Sequence, residues 1–211
     1  MTTTRRVERV LCIAPNWVGD SLFFLPAVDA LRRRYPDASF DLLAKPGIAQ
    51  LHQDSGRFQR VHSLPPGAGR WQRFVFHAGL RSLHYDLALV FPDSFSSALA
   101  AALSGARLRV GRVGEGRSLL LSRGTGLPKR DRQRHVVDEY MDLAVAAGAD
   151  VPDAAGRYPS LRPSAAGVEE RQRLFREQGL GSGLLIGLCP TSAYGPAKQW
   201  PDAHWAALAR E

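Results

Sequence analysis

Asp20 and Lys198 each stand in a short polar loop that follows a continuous apolar run. The first run, Val10-Leu11-Cys12-Ile13-Ala14-Pro15, opens into Asn16-Trp17-Val18-Gly19-Asp20-Ser21. The second, from Leu184 to Pro190, opens into Thr191-Ser192-Ala193-Tyr194-Gly195-Pro196-Ala197-Lys198-Gln199-Trp200-Pro201. In open α/β sheets, ligands bind just beyond the carboxyl ends of the strands. The two loops are therefore expected to face a shared cleft between two α/β halves, one carrying a base and the other an anion clamp. Asp20 offers the carboxylate. The hydroxyls of Thr191 and Ser192, the loop N–H groups and the Lys198 ammonium, all ahead of a helix, are the parts of an anion site. Each residue also has a plainer role: Asp is a favoured helix N-cap, and Lys198 fits an ordinary solvent-facing loop.

Strands and helices must hold these loops in place. Residues 10–14 are continuously apolar, as in a strand buried on both faces. Gly19 would let the chain turn tightly into a helix over 21–35. That helix carries Leu22, Leu25, Val28 and Leu31 on one stripe, with Pro26 kinking its first turns and Pro36 ending it. Further strands are expected at 40–44, 61–64, 86–91 and 108–111, and helices at about 71–84, 94–104 and 136–147. Alternation of strand and helix implies a parallel sheet with right-handed crossovers. A Gly-, Ala- and Pro-rich stretch then reads as a linker, followed by a helix over 168–178, an apolar strand over 184–189 and a helix from 203. The class is α/β. The expected organisation is a Rossmann-like parallel-sheet domain over 1–150, a linker over 151–166, and the beginning of a second, incomplete Rossmann-like domain over 167–211.

The 211 residues are 45% apolar, ample for one core and part of a second. No run reaches the roughly 18 apolar residues of a membrane helix. The apolar run behind the N-terminal arginines is too short for a secretory signal, so a cytoplasmic location is expected. Cys12 and Cys189 both lie in apolar runs and are expected to be buried free thiols. None of the six histidines is spaced as a ligand pair, and no G-x-G-x-x-G or P-loop pattern is present. Neither a metal nor any other cofactor is expected. The net charge is +8, and residues 107–134 hold nine basic side chains against Glu115 and Asp131. Such a field favours anionic partners, although a solvated basic face would look the same.

Three stretches join the second loop in a likeness that runs over nearly the whole chain. The Asn16 loop continued through Phe23-Phe24-Leu25-Pro26, the run Phe91-Pro92-Asp93-Ser94-Phe95-Ser96-Ser97-Ala98, Arg112-Val113-Gly114-Glu115-Gly116-Arg117 and Ala197-Lys198-Gln199-Trp200-Pro201 resemble segments of the lipopolysaccharide heptosyltransferases (glycosyltransferase family 9), nearest the type II branch. The resemblance implies the two-domain GT-B fold and a longer protein, so most of a C-terminal domain is expected to be missing. It also implies that Asp20 is the base of an inverting sugar transfer, and that Thr191, Ser192 and Lys198 bind the ADP-heptose donor. Acceptor binding falls to Arg70 and Arg73, with Arg81 nearby, and to Arg112 and Arg117, because arginine engages carboxylates and phosphates bidentately.

The implied acceptor is the anionic, lipid A-linked inner core, met at the inner face of the cytoplasmic membrane through peripheral contact. The implied reaction moves heptose from ADP-L-glycero-β-D-manno-heptose to the inner-core heptose. Two positions depart from the family pattern: Thr191 where glycine is expected, and Asp93 where asparagine is expected. The alternatives are a type I or III heptosyltransferase, a non-catalytic fragment, or a basic nucleic-acid-binding module. The last lacks aromatic interleaving in its basic run and any helix-turn-helix signature, so no nucleic-acid partner is expected.

Overall fold

Strand β1 (Arg9–Ile13) runs through the middle of a sheet because four of its five residues are buried and apolar on both faces. The structure is a computed structural model that describes residues 6–114, 116–124, 133–181, 183–191 and 195–210. It divides into two units, Met1–Ser164 and Ala165–Glu211.

In the first unit, β1 is joined by β2 (Ser39–Ala44), β3 (Arg60–Ser63), β4 (Leu87–Val90), β5 (Leu108–Gly111) and the two-residue β6 (Arg123–Gly124). The order is β3-β2-β1-β4-β5-β6 and every pairing is parallel. Among the described residues, five helices connect the strands, α1 (Val18–Phe23), α2 (Leu25–Arg34), α3 (Pro46–His52), α4 (Arg70–Gly79) and α5 (Phe95–Leu103), and α6 (Val136–Ala146) follows the last of them. Alternate residues of β1 feed two cores. Val10 and Cys12, with Ala14 just past the strand, pack with Leu25, Val28 and Leu31 of α2 and Leu143 and Ala144 of α6. Leu11 and Ile13 pack with Leu80 and with Ala98 and Ala101 of α5. The result is a three-layer Rossmann-like unit.

Several local expectations are corrected. The single helix over 21–35 is two helices, broken at Phe24, with Pro26 in the first turn of α2. Proline lacks an N–H and its ring collides with the carbonyl four residues back, so the break is steric. Gly19 lies inside α1, which already starts at Val18, and makes no tight turn. The helix expected over 71–84 ends at Gly79 and continues as a 3₁₀ turn, Leu80–Leu83. The stretch read as a linker is tied to unit 1: Arg157 bonds Asp138 at 2.9 Å, Ser160 accepts from Arg57 at 3.0 Å, and Leu161 packs on the first core.

Unit 2 holds α7 (Ala165–Glu177), a 3₁₀ turn (Pro196–Lys198) and α8 (Asp202–Leu208). The strand expected over 184–189 does not form. Leu184 and Ile186 are 91% and 71% exposed. A doubly buried strand needs neighbours to pair its backbone and cover its faces, and no described element of unit 2 supplies them. For the same reason Cys189 is exposed instead of buried, whereas Cys12 is buried as expected. Burial, with the Asp41 charge nearby, pushes the Cys12 thiol far up, out of reactive range.

Candidate functional site

The sheet order reverses at the β1–β4 neighbours, with β2 and β3 on one side and β5 and β6 on the other. Crevices at such switch points are where open α/β sheets bind ligands. The loops leaving β1 and β4 line a pocket of about 150 Å³ there, together with Arg112 just past β5 and residues of α6. Its walls include Asn16, Trp17, Asp20, Asp93, Glu139 and Tyr140. Phe91 and Tyr140 meet edge-to-face at 5.4 Å beneath it, and Phe24 meets Phe91 in the same way at 5.1 Å. The pocket therefore has a packed aromatic floor and a polar rim.

Asp20 stands in the first turn of α1, which has Trp17 as its N-cap. The capping alternative for Asp20 thus does not describe its place. Its carboxylate accepts no hydrogen bond among the described residues. Burying a charge unpaired is costly, but Asp20 is only half-buried and keeps water access at the pocket mouth. Among the described residues, it is a carboxylate on a helix turn with its lone pairs uncommitted.

A second, larger cleft of about 500 Å³ shares Asn16 and Pro92 with this pocket. It follows the carboxyl ends of β1 and β2 and is closed by α4 and α5. Lys45, Arg70, Arg73 and His77 supply its basic side; Phe74, Leu99 and Leu103 supply an apolar wall. Arg70, Arg73 and His77 fall at i, i+3 and i+7, one face of α4. Arg73 is braced by donating to the Ala68 carbonyl at 3.0 Å, and Gln72 accepts from the Gly69 N–H at 2.8 Å, fixing the helix start. Burial, with Arg73 alongside, holds the His77 pKa below its ordinary value. A broader depression of about 630 Å³ beside α3 and β3 contains no charged side chain.

The other two expected acceptor arginines do not meet an open surface. Arg112 and Arg117 are each 5% exposed. Arg112 donates to the Glu139 carbonyl at 2.9 Å, with the Glu139 carboxylate 3.6 Å away. Arg117 donates to Asp93 at 3.2 Å and to the Gly114 carbonyl at 3.2 Å. Arg112 and Glu139 are both buried, and removing one partner of such a pair costs about 3–5 kcal/mol. Asp93 is partly exposed, so its pair with Arg117 is screened and worth less, and both arginines tie the pocket rim together. Asp93 is thereby explained: it holds Arg117, while Ser94, accepting from the Ser97 N–H at 3.2 Å, caps α5.

In unit 2, Thr191 is exposed and Lys198 ends the 3₁₀ turn, also exposed. Ser192 lies outside the described residues, as do Glu115 and the centre of the basic run at 125–132. Sequence reasoning passed over Lys45, His77 and Glu139. The i, i+3, i+7 spacing would have found His77. Glu139 shares a helical stripe with Leu143, and a carboxylate there demands a partner. Among the described residues, no group of His, Cys, Asp or Glu is arranged to hold a metal.

Residues 73–211 match the family model of glycosyltransferase family 9 (heptosyltransferase). The chain belongs to this family. It is 33% identical over 213 residues to lipopolysaccharide heptosyltransferase 2 of Salmonella typhimurium (strain LT2), covering 96% of this chain and 60% of the relative. The solved structure of E. coli ADP-heptose lps heptosyltransferase II is similar with a TM-score of 0.76 at 30% identity, again over 96% of this chain and 60% of that one. A family 9 structure from Veillonella parvula shares the fold, with a TM-score of 0.77 at 16% identity over 97% of this chain and 59% of its own. The chain thus spans about 60% of the length of the curated relatives it matches. Its fold is the expected α/β, GT-B-like architecture, with a Rossmann-like first unit.

Proposed function

We propose that this protein moves heptose from ADP-heptose onto the inner-core heptose of a lipid A-linked acceptor, with inversion, at the cytoplasmic face of the inner membrane. The observation that carries the proposal is the uncommitted Asp20 carboxylate at the switch point, beside a basic cleft, in a heptosyltransferase-family chain. The names of the type II relatives support the donor and the lipopolysaccharide acceptor. No described helix is long and apolar enough to cross a membrane, in keeping with a peripheral enzyme.

In this reading unit 1 is the acceptor side and unit 2 opens the nucleotide-sugar side. Arg70, Arg73 and Lys45 hold the acceptor's phosphates and carboxylates, and the acceptor hydroxyl enters the Asp20 pocket. Asp20 takes the hydroxyl proton as the oxygen attacks the anomeric carbon of heptose from the face opposite the diphosphate. The anomeric C–O bond breaks and the electron pair leaves with ADP. Lys198, with Thr191 and Ser192, meets the charge gathering on the diphosphate. Arg112 and Arg117 act indirectly, by fixing Glu139 and Asp93 at the pocket rim.

The test is single-turnover transfer from ADP-heptose to a deacylated acceptor by the intact protein carrying Asp20→Asn. Asparagine keeps the shape and removes only the proton acceptor, so the rate is expected to fall by roughly 10²–10⁴-fold. Acceptor affinity and thermal midpoint should stay at wild-type values. Transfer within a few-fold of wild type would remove Asp20 from the chemistry.

A further inference from the structure

Helix α4 divides its side chains three ways. Phe76 packs against the second core, and Arg70, Arg73 and His77 line the cleft. Trp71, Phe74 and Val75 are left in the open at 72%, 46% and 51% exposure. At about 100° per residue these three and Ala78 form one continuous arc. The Trp71 and Phe74 rings stack at 5.5 Å with their planes 20° apart, which makes the arc a preformed platform. No residue of α4 is acidic. Phe74 belongs to both surfaces, so apolar area runs unbroken from the outer arc to the cleft wall at Leu99 and Leu103.

We propose that the outer face of α4 is a membrane-docking surface that seats the protein on an anionic phospholipid bilayer. Trp71, Phe74 and Val75 enter the interfacial layer, where aromatic rings are favoured. Arg70 and Arg73 border them on the cleft side, at headgroup level. A helix with an apolar face, a basic border and no acidic residue lies in the plane of the interface. The net charge of +8 adds long-range attraction to the same partner. The platform by itself is small for a second protein: two aromatic rings and a valine offer roughly a few hundred square ångströms, whereas a stable pair buries about 600–1,000 Å² on each partner. The orientation rests on the acceptor reading above: with α4 on the lipid, the basic cleft opens at headgroup height, where a lipid-linked acceptor presents its sugars.

Flotation of the full chain with vesicles of equimolar phosphatidylglycerol and phosphatidylcholine, free of any glycolipid, reads this surface alone. The wild-type chain is expected to float with them, to float poorly with phosphatidylcholine alone, and to be released by high salt. The double variant Trp71→Ser, Val75→Ser removes apolar area outside the cleft and should lower the bound fraction about tenfold. Its thermal midpoint and the intact protein's transfer to a soluble, deacylated acceptor should not change. A wild-type chain that stays down, or a variant that floats as well as wild type, overturns the proposal. So does self-association of the wild type that the variant abolishes, because the arc then belongs to a second copy. Flotation needs no sugar chemistry, so its failure leaves the transferase reading standing, and failure of the Asp20 test leaves this surface standing.

Discussion

Asp20 and its neighbour Gly19 show how one turn of helix can serve a reaction. Because α1 begins at Val18, Asp20 projects from a first turn whose N–H groups favour negative charge, yet its carboxylate keeps no partner among the described residues. Gly19 lies in the first turn of α1, and a Cβ built there meets nothing within 4 Å. Glycine in a helix costs roughly 0.5–1 kcal/mol relative to alanine. Gly19→Ala is therefore expected to raise stability by about that amount, read as a higher denaturant midpoint. A lower midpoint would mean that the backbone at Gly19 needs a freedom that the structure does not display. Arg112 and Arg117 teach the opposite lesson: both looked like surface charges in the sequence, and both are spent inside, on Glu139 and Asp93.

Elements meet through a buried polar cluster that links three strands. Asp41 on β2 accepts from the Tyr85 hydroxyl at 2.6 Å, ahead of β4, while His62 on β3 places Nε2 3.4 Å from the same oxygen and 3.1 Å from the Tyr85 hydroxyl. Burial alone would raise the Asp41 pKa, but the bonds from His62 and Tyr85, with the charge of Arg60 nearby, outweigh it and leave the carboxyl below its ordinary value. Burial and the Asp41 partner push the Tyr85 phenol well up. A depressed carboxylate contributes its full stability above the unfolded value near 3.9 and loses it as pH falls through the lower folded value. Asp41→Asn is expected to be less stable than wild type at neutral pH, with the gap closing as pH drops below about 4. Denaturant midpoints measured for both proteins across that range check it; a gap that stays constant would detach Asp41's charge from stability.

At the scale of the whole molecule the two units differ in what they bury. Unit 1 closes two cores around a six-stranded sheet, and β1 is sealed on both sides. Unit 2 leaves Leu184, Leu185 and Ile186 exposed and forms no ladder among its described residues. Hydrogen exchange should therefore be slow through β1 and β4 and fast over 184–189, since exchange follows the local free energy of opening. A thiol reagent should modify Cys189 in the native chain and reach Cys12 only after denaturation. Strong protection over 184–189, or one-step labelling of both thiols, would show that this segment is packed in solution.

Local pattern by itself determined the α/β alternation and the apolar run that became β1, and it placed Asp20 just past that strand's carboxyl end, although on the first turn of α1 and not in a loop. Each of these depends on residues adjacent in sequence: a buried parallel strand must be apolar throughout, and a ligand loop must follow its carboxyl end. The break at Phe24 was half-legible, because Pro26 announces a defect without saying whether the helix bends or stops. Only the tertiary structure decided which arginines stay in solvent and that α3 (Pro46–His52) forms, by burying Ile48, Ala49 and His52, in a short segment that opens with Pro-Gly. It likewise decided that the run 184–189 stays out of a sheet. Arginine spacing is the same whether a carboxylate lies across the fold or not. A strand exists only where another strand completes its hydrogen bonds. Both outcomes depend on partners far away in the chain, which no window of sequence contains.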